Sequence, residues 1–217
     1  GLVFLTGPTG SGKTTTLYTC LSRLNRKEVK IISIEDPVEY AIEGITQIHV
    51  NPKVGLNFAS ALRSVLRHDP DIMMIGEIRD SETADLAIRS SLTGHLVFST
   101  LHTNDSATGI ARLMDMGIQP YLLASSVEVI IAQRLVRLFC SSCNGKGCES
   151  CSETGFKGRR PIYEIMLIDD DIRGMIIEHK SAQEIKSKAR ARGMRTLMEN
   201  GMFLVEQGLT SKEEIMR

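Results

Sequence analysis

The sequence predicts an α/β fold, with a mostly parallel sheet and helices on both faces. Three observations predict it. Short apolar, β-branched runs alternate with longer helical stretches, the pattern of a parallel sheet covered on both sides. A glycine-rich segment, Gly7–Thr14, sits between the first such run and the first helical stretch. The 217 residues, 42% hydrophobic and 24% charged, suffice for one α/β domain with a small addition.

In chain order, strands are expected at Leu2–Thr6, Lys30–Ile34, Asp71–Ile75 and Leu96–Thr100, each a short run rich in Val, Ile, Leu or Met. Helices are expected over Lys13–Arg26, Phe58–Arg67, Glu82–Leu92 and Asp105–Met116. Between the second strand and second helix, Val38–Val50 carries Tyr40, Ile42, Ile45, Ile48 and Val50 around Gly44, which reads as a small hairpin. From Cys140 to Gly158 the composition shifts to Cys, Gly and Ser, so a compact loop is expected there. Ile162–Met166 reads as one more strand, followed by helical periodicity punctuated by Gly174, Gly193, Gly201 and Gly208. The expected division is a core over 1–139, a cysteine lobe over 140–158 and a strand with C-terminal helices over 159–217. Because a core strand begins at Leu2, a further domain ahead of Gly1 is also expected.

Gly7-Pro8-Thr9-Gly10-Ser11-Gly12-Lys13-Thr14 fits G-x-x-x-x-G-K-[ST] after a strand and before a helix. The glycines let the backbone curl so that its N–H groups converge on phosphate oxygens. The helix starting near Lys13 adds its positive dipole end. Lys13 is placed to reach the β- and γ-phosphates, and the Thr14 hydroxyl to enter a Mg²⁺ shell; Thr15 follows on the same turn. The segment therefore reads as an ATP site.

Ligands of open α/β sheets sit outside the carboxyl ends of the strands, which singles out the polar residues there. The second strand ends in Glu35-Asp36-Pro37 with Glu39 beyond; the third leads into Gly76-Glu77-Ile78-Arg79-Asp80; the fourth ends in Ser99-Thr100-Leu101-His102-Thr103. Glu77 is the candidate that orients or activates the attacking water, against the reading of a solvated turn residue or helix cap. Gly76 stands where many P-loop proteins carry an Asp for the metal, and Glu35 is the candidate to fill that place through a water. Thr100 and His102 are candidates to sense the γ-phosphate, while His95 and His102 read equally as hydrogen-bonded structural histidines.

Cys140-x-x-Cys143 and Cys148-x-x-Cys151 are two metal knuckles separated by Asn144-Gly145-Lys146-Gly147. Four thiolates favour a closed, structural Zn²⁺ site rather than a catalytic one. Cys20, among Leu17, Leu21 and Leu24, reads as a small buried apolar residue. Lys and Arg total 26, as do Asp and Glu, so bulk charge demands no nucleic-acid or anionic-membrane partner. No apolar run approaches the roughly 18 residues of a membrane-spanning helix. Arg134, Arg137, Lys157, Arg159 and Arg160 form a basic neighbourhood near the cysteines, but aromatics are only 5% and Trp is absent, a poor supply of stacking surfaces for single strands.

Together these motifs resemble the secretion-superfamily ATPases of type II secretion and type IV pilus extension. Gly7–Thr14 corresponds to Walker A, Ile34–Glu39 to the acidic Asp box, and Gly76–Asp80 to a Walker B that characteristically begins with glycine. Thr93-Gly94-His95 through Asp105 corresponds to the His box; the tetracysteine segment and Gly158–Glu164 match the extension branch, with a shorter cysteine spacer than many relatives. The resemblance implies a RecA-like fold, Mg²⁺-dependent ATP hydrolysis with Glu77 catalytic, Glu35 near the metal and zinc on the four cysteines. It further implies a cytoplasmic homo-hexamer at the inner face of the inner membrane, working through a polytopic platform protein; the basic neighbourhood is expected to meet a neighbouring subunit, acidic lipid or that platform protein, and nucleic acid is not expected. Arginines supplied by an N-terminal domain would complete the nucleotide site. The alternatives are a retraction or type IV secretion ATPase, whose branches generally lack the tetracysteine cluster, a nucleotide-gated binding module, and a zinc-containing nucleic-acid motor.

Overall fold

A computed structural model describes residues 1–217. The chain opens with β1 (Leu2–Thr6), α1 (Lys13–Leu24), β2 (Ile31–Glu35), β3 (Thr46–His49) and α2 (Phe58–Val65). It continues through β4 (Ile72–Ile75), α3 (Ser81–Leu92), β5 (Leu96–Leu101), α4 (Ser106–Asp115) and α5 (Pro120–Ser126). The long strands β6 (Val127–Phe139) and β7 (Phe156–Leu167) follow, then α6 (Asp170–Ile177), α7 (Ala182–Ala191), α8 (Leu197–Glu206) and α9 (Lys212–Met216).

The strands form one seven-stranded sheet in the order β3-β2-β4-β5-β1-β6-β7. Every neighbouring pair is parallel except β6–β7. The central strands β2 and β4 are buried at every residue, as expected where helices cover both faces and alternation disappears. Alternate residues still divide between two cores. Leu5, Ile31, Ile72, Met74 and Phe98 pack with Leu17, Tyr18 and Leu21 of α1. Phe4, Ile34, Met73, Ile75 and Val97 pack on the other face with Leu62, Ile88, Ile110 and Leu123 from the remaining core helices.

The helix starts were legible because their caps are local. Asn57, Asp80 and Asp105 each accept the N3 amide, from Ser60, Thr83 and Thr108 respectively, and such caps are worth about 1 kcal/mol each. The hairpin expected over Val38–Val50 does not form. Only β3 is a strand there, lying parallel to β2 with Ile34 beside Ile48. The would-be partner strand spends its amides elsewhere: Glu39 N–H donates to the Tyr18 hydroxyl and Ile42 N–H to Gln47 Oε1. Ile42 and Ile45 tuck against the α1 core instead, and that burial outweighs a two-stranded ribbon exposed at the sheet edge.

The other difference lies in β6 and β7. They pair antiparallel from Val129↔Leu167 to Phe139↔Phe156, so the strand expected at Ile162–Met166 is only part of β7, and β6 and α5 had no counterpart in the sequence reading. The cysteine loop is the tip of this ribbon, with the rings of Phe139 and Phe156 stacked at its neck, 5.4 Å between centroids. Cys20 is half-buried against the α1 core. No helix is long and apolar enough to cross a membrane.

Candidate active site

The loop between β1 and α1 passes the carboxyl edge of the sheet at its centre. Gly7 takes φ +147°, and a Cβ there would stand 2.3 Å from the Gln133 carbonyl oxygen, so only glycine lets β1 turn away this close to β6. Gln133, 1% exposed on β6, clamps the loop from beneath. Its Nε2 donates to Ser11 O at 2.8 Å and its Oε1 accepts from Thr16 Oγ1 at 2.9 Å. Lys13 curls over the loop and donates from Nζ to Gly7 O at 2.7 Å and Pro8 O at 3.1 Å. Burial pulls its ammonium below the ordinary lysine value, and the Glu77 carboxylate opposes that shift.

The loop forms one wall of a cleft of about 650 Å³. Residues Thr9 to Thr15 line it, and so do Glu35, Glu77, Thr100 and His102. Of the candidate phosphate-binding residues, Gly7 and Pro8 lie behind the lining and contribute their carbonyls to Lys13. The acids arrive by register. Gly76 N–H donates to Ile34 O at 2.8 Å, Ile78 N–H to Thr100 O at 3.1 Å, and Thr100 Oγ1 to Gly76 O at 2.6 Å. This lacing fixes the end of β4 between β2 and β5. A Cβ on residue 76 would come to 3.2 Å from Ile34 O and 3.5 Å from the Glu35 Cα, so the glycine keeps the ends of β2 and β4 in close contact.

Glu77 has a side chain 13% exposed, with Arg79 Nη2 2.5 Å from one oxygen and His102 Nε2 3.4 Å from the other. Glu35 is 3% exposed and accepts from Tyr18 and Gln47 side chains as well as from Ser33 Oγ at 2.5 Å. His95 lies at the opposite end of β5, its Nδ1 2.9 Å from Ser90 O and 3.1 Å from Thr93 Oγ1: it is the structural histidine, away from the cleft.

Arg79 and Arg159 also line the cleft, and neither was assigned a role there from sequence. Both stood inside quoted motifs, but nothing local places Arg159 at the nucleotide cleft; the β6–β7 register, Arg137↔Arg159, brings it back over the loop. The basic neighbourhood read near the cysteines disperses. Arg137 pairs with Glu214 at 2.6 Å and lies 4.3 Å over the Phe156 ring, while Lys157 bonds Ser150 Oγ. Arg160 lines a different cavity from its neighbour Arg159, as successive strand residues must.

At the ribbon tip the four cysteine sulfurs lie within 4.8 Å of one another. Cys140–Cys148, Cys143–Cys151 and Cys148–Cys151 are 3.9, 3.8 and 3.7 Å apart. A tetrahedral ion with metal–sulfur bonds of about 2.3 Å separates its sulfurs by about 3.8 Å, so the donor set fits zinc. It does not fit disulfides, whose sulfurs stand about 2.05 Å apart. Backbone donation at Ser142 pulls the Cys140 thiol down to about 6 while burial pushes Cys148 up to about 11; a bound cation would favour the thiolate at all four.

The family model for type II/IV secretion system proteins matches residues 1–217. The chain belongs to this family. Type II secretion system protein HxcR of Pseudomonas aeruginosa is 51% identical over 225 residues, covering all of this chain and 48% of that protein. Type IV pilus assembly ATPase PilB of Thermus thermophilus is 46% identical, with all of this chain aligned to 27% of it. The secretion-family chain thus spans about half or less of these relatives. In structure it is similar to the pilus retraction motor PilT crystallised with ADP, at TM-score 0.83 and 35% identity over all of this chain and 60% of that one. It is also similar to the Legionella pneumophila ATPase DotB, at TM-score 0.80 and 26% identity over all of this chain and 59% of that one.

Proposed function

We propose that this chain is the ATP-hydrolysing motor part of a protein that drives type II secretion or type IV pilus assembly. One observation carries the reading: the phosphate loop with Lys13 shares a single cleft with two acids, Glu35 and Glu77, delivered by the adjacent strands β2 and β4. Bound ATP with Mg²⁺ supplies the scissile anhydride and the neutralisation of its charge. The chain's own residues do the rest. Amides at the start of α1 bind phosphate oxygens, and Lys13 exchanges its two carbonyl acceptors for phosphate. Glu35 would hold the metal's water and Thr14 would join the metal's shell, while Glu77 orients the attacking water and takes its proton. Arg79 and His102 fix the Glu77 carboxylate, one at each oxygen. Arg159 adds positive charge from β7.

In this reading 1–139 is the core, 140–158 a zinc lobe on Cys140, Cys143, Cys148 and Cys151, and 159–217 the completing strand and helices. The whole protein acts as a homo-hexamer at the cytoplasmic face of the inner membrane through a platform protein. The identities of 51% and 48% to type II secretion proteins of Pseudomonas aeruginosa and Xanthomonas campestris pv. campestris, against 35% to PilT, favour assembly over retraction. The dispersal of the arginines argues against a nucleic-acid motor.

The test is phosphate release by the full-length protein alone, with DNA, and with acidic-lipid vesicles carrying the platform protein. Stimulation by the membrane component, absent in Glu77→Gln, is the expected result. Stimulation by DNA alone overturns the assignment.

A further inference from the structure

Tyr18 is the bulkiest of the fully buried side chains, 1% exposed, five residues beyond Lys13 on α1. The apolar core around it needs a ring but has no use for a hydroxyl, and burying one costs free energy unless it is bonded. This hydroxyl is fully used. It donates to Glu35 Oε2, accepts Glu39 N–H at 3.2 Å and meets Gln47 Nε2 at 3.4 Å. The ring also stands edge-on to Tyr40, 4.7 Å between centroids, and Tyr40, Glu39 and Glu35 all line the cleft.

The Glu35 carboxylate is correspondingly restrained. Oε2 takes the tyrosine, while Oε1 takes Ser33 Oγ at 2.5 Å and Gln47 Nε2 at 3.1 Å. A carboxylate offers about four acceptor sites; three are spent, which leaves about one for the cleft. Burial, reinforced by the bond to Glu35, pushes the Tyr18 hydroxyl up to about 12, so it remains a donor throughout the neutral range.

We propose that Tyr18 is a positioning residue for the metal–nucleotide complex: from the phosphate-loop helix, its hydroxyl sets the remaining acceptor site of Glu35 and pins the Glu35–Tyr40 loop. Movement of α1 is thereby tied to movement of the acidic loop. The inference rests on the reading of the cleft as a Mg²⁺–ATP site. It makes Tyr18 act on metal dependence and leave phosphate binding by the loop itself alone.

Tyr18→Phe in the full-length protein removes one oxygen and keeps the ring. Binding of a fluorescent ATP analogue is measured in EDTA and across a Mg²⁺ titration, beside phosphate release. Loss of a hydrogen bond to a charged group corresponds to about a ten-fold effect. The expected result is an unchanged affinity in EDTA, about a ten-fold rise in the Mg²⁺ needed for half-maximal binding, and a matching rise in the Mg²⁺ needed for turnover. In a Glu35→Ala background, Tyr18→Phe should then add nothing to the Mg²⁺ requirement, because the two act as one unit. An unshifted Mg²⁺ requirement overturns the proposal, as does an equal loss of binding with and without metal, or additive effects in the double variant. A wild-type protein that binds no ATP overturns the functional reading instead, so the two failures are distinguishable.

Discussion

Gln133 and Ser11, far apart in sequence, meet beneath the phosphate loop, where the Gln133 amide nitrogen donates to the Ser11 carbonyl at 2.8 Å. The other end of the same amide holds the Thr16 hydroxyl at 2.9 Å, so one side chain grips the loop and the first turn of α1 together. Gln133→Leu keeps most of the volume and strands the buried Ser11 carbonyl and the half-buried Thr16 hydroxyl, at about 1–3 kcal/mol. The melting temperature should fall, and ATP affinity should fall with it by about ten-fold, read by calorimetry and by equilibrium binding. Unchanged ATP affinity at a lowered melting temperature would mean the clamp is structural alone.

Gly76→Asp restores the acid found at this place in other P-loop proteins, yet it should harm this one. The new Cβ meets Ile34 O at 3.2 Å, and its carboxylate would lie beside the buried Glu35. Crowding and like charge both oppose it. Lower thermal stability and lower turnover are expected; an increase in turnover would show that Glu35 does not occupy the metal-shell role.

Lys186 of α7 ties the C-terminal helices to the loop after β5, its Nζ 2.7 Å from Asp105 Oδ2 and 3.8 Å from the buried Glu164. Burial resists ionisation of Asp105, but hydrogen bonds from Lys186 and Thr108 overcome it and leave the carboxyl below its ordinary value. With a folded pKa below the unfolded one, the stabilisation is present above the unfolded value and disappears as pH falls through the folded one. Lys186→Met should therefore cost about 1 kcal/mol near neutrality. The difference from wild type should close in acid, as followed by urea unfolding at pH 7 and below pH 4. A gap that persists in acid would assign the loss to packing of the lysine stem.

Zinc content checks the ribbon tip. One equivalent per chain is expected by elemental analysis, lost in Cys143→Ser and displaced more readily in acid as thiolates protonate. Chelation should loosen the tip and spare nucleotide binding, since the cysteines do not line the cleft. Stoichiometric disulfide in the purified protein, without metal, would overturn the zinc assignment.

The phosphate loop, the apolar strands β1, β2, β4 and β5, and the acids at the ends of β2 and β4 were legible because each signal is local. A β-branched run, a cap or a glycine spacing carries its meaning within a few residues. The strand β6, with Glu128, Arg134 and Arg137 among its apolar residues, carries no such clean period, and the hairpin expected at Val38–Val50 had the right composition for the wrong pairing. In both places hydrogen bonding to a distant partner decided the outcome: Glu39 to Tyr18, and β6 to β7.

By itself, then, the sequence determined the motifs: a phosphate-loop pattern, acids at strand ends, and four thiols at the spacing of a metal set. The tertiary structure alone decided the company these residues keep. It placed Gln133 under the loop, Arg159 over it, Tyr18 against Glu35, and His95 at the far end of the sheet. Motif chemistry depends on residue type and short spacing, whereas these contacts depend on strand register, which is set by the burial of whole faces at once.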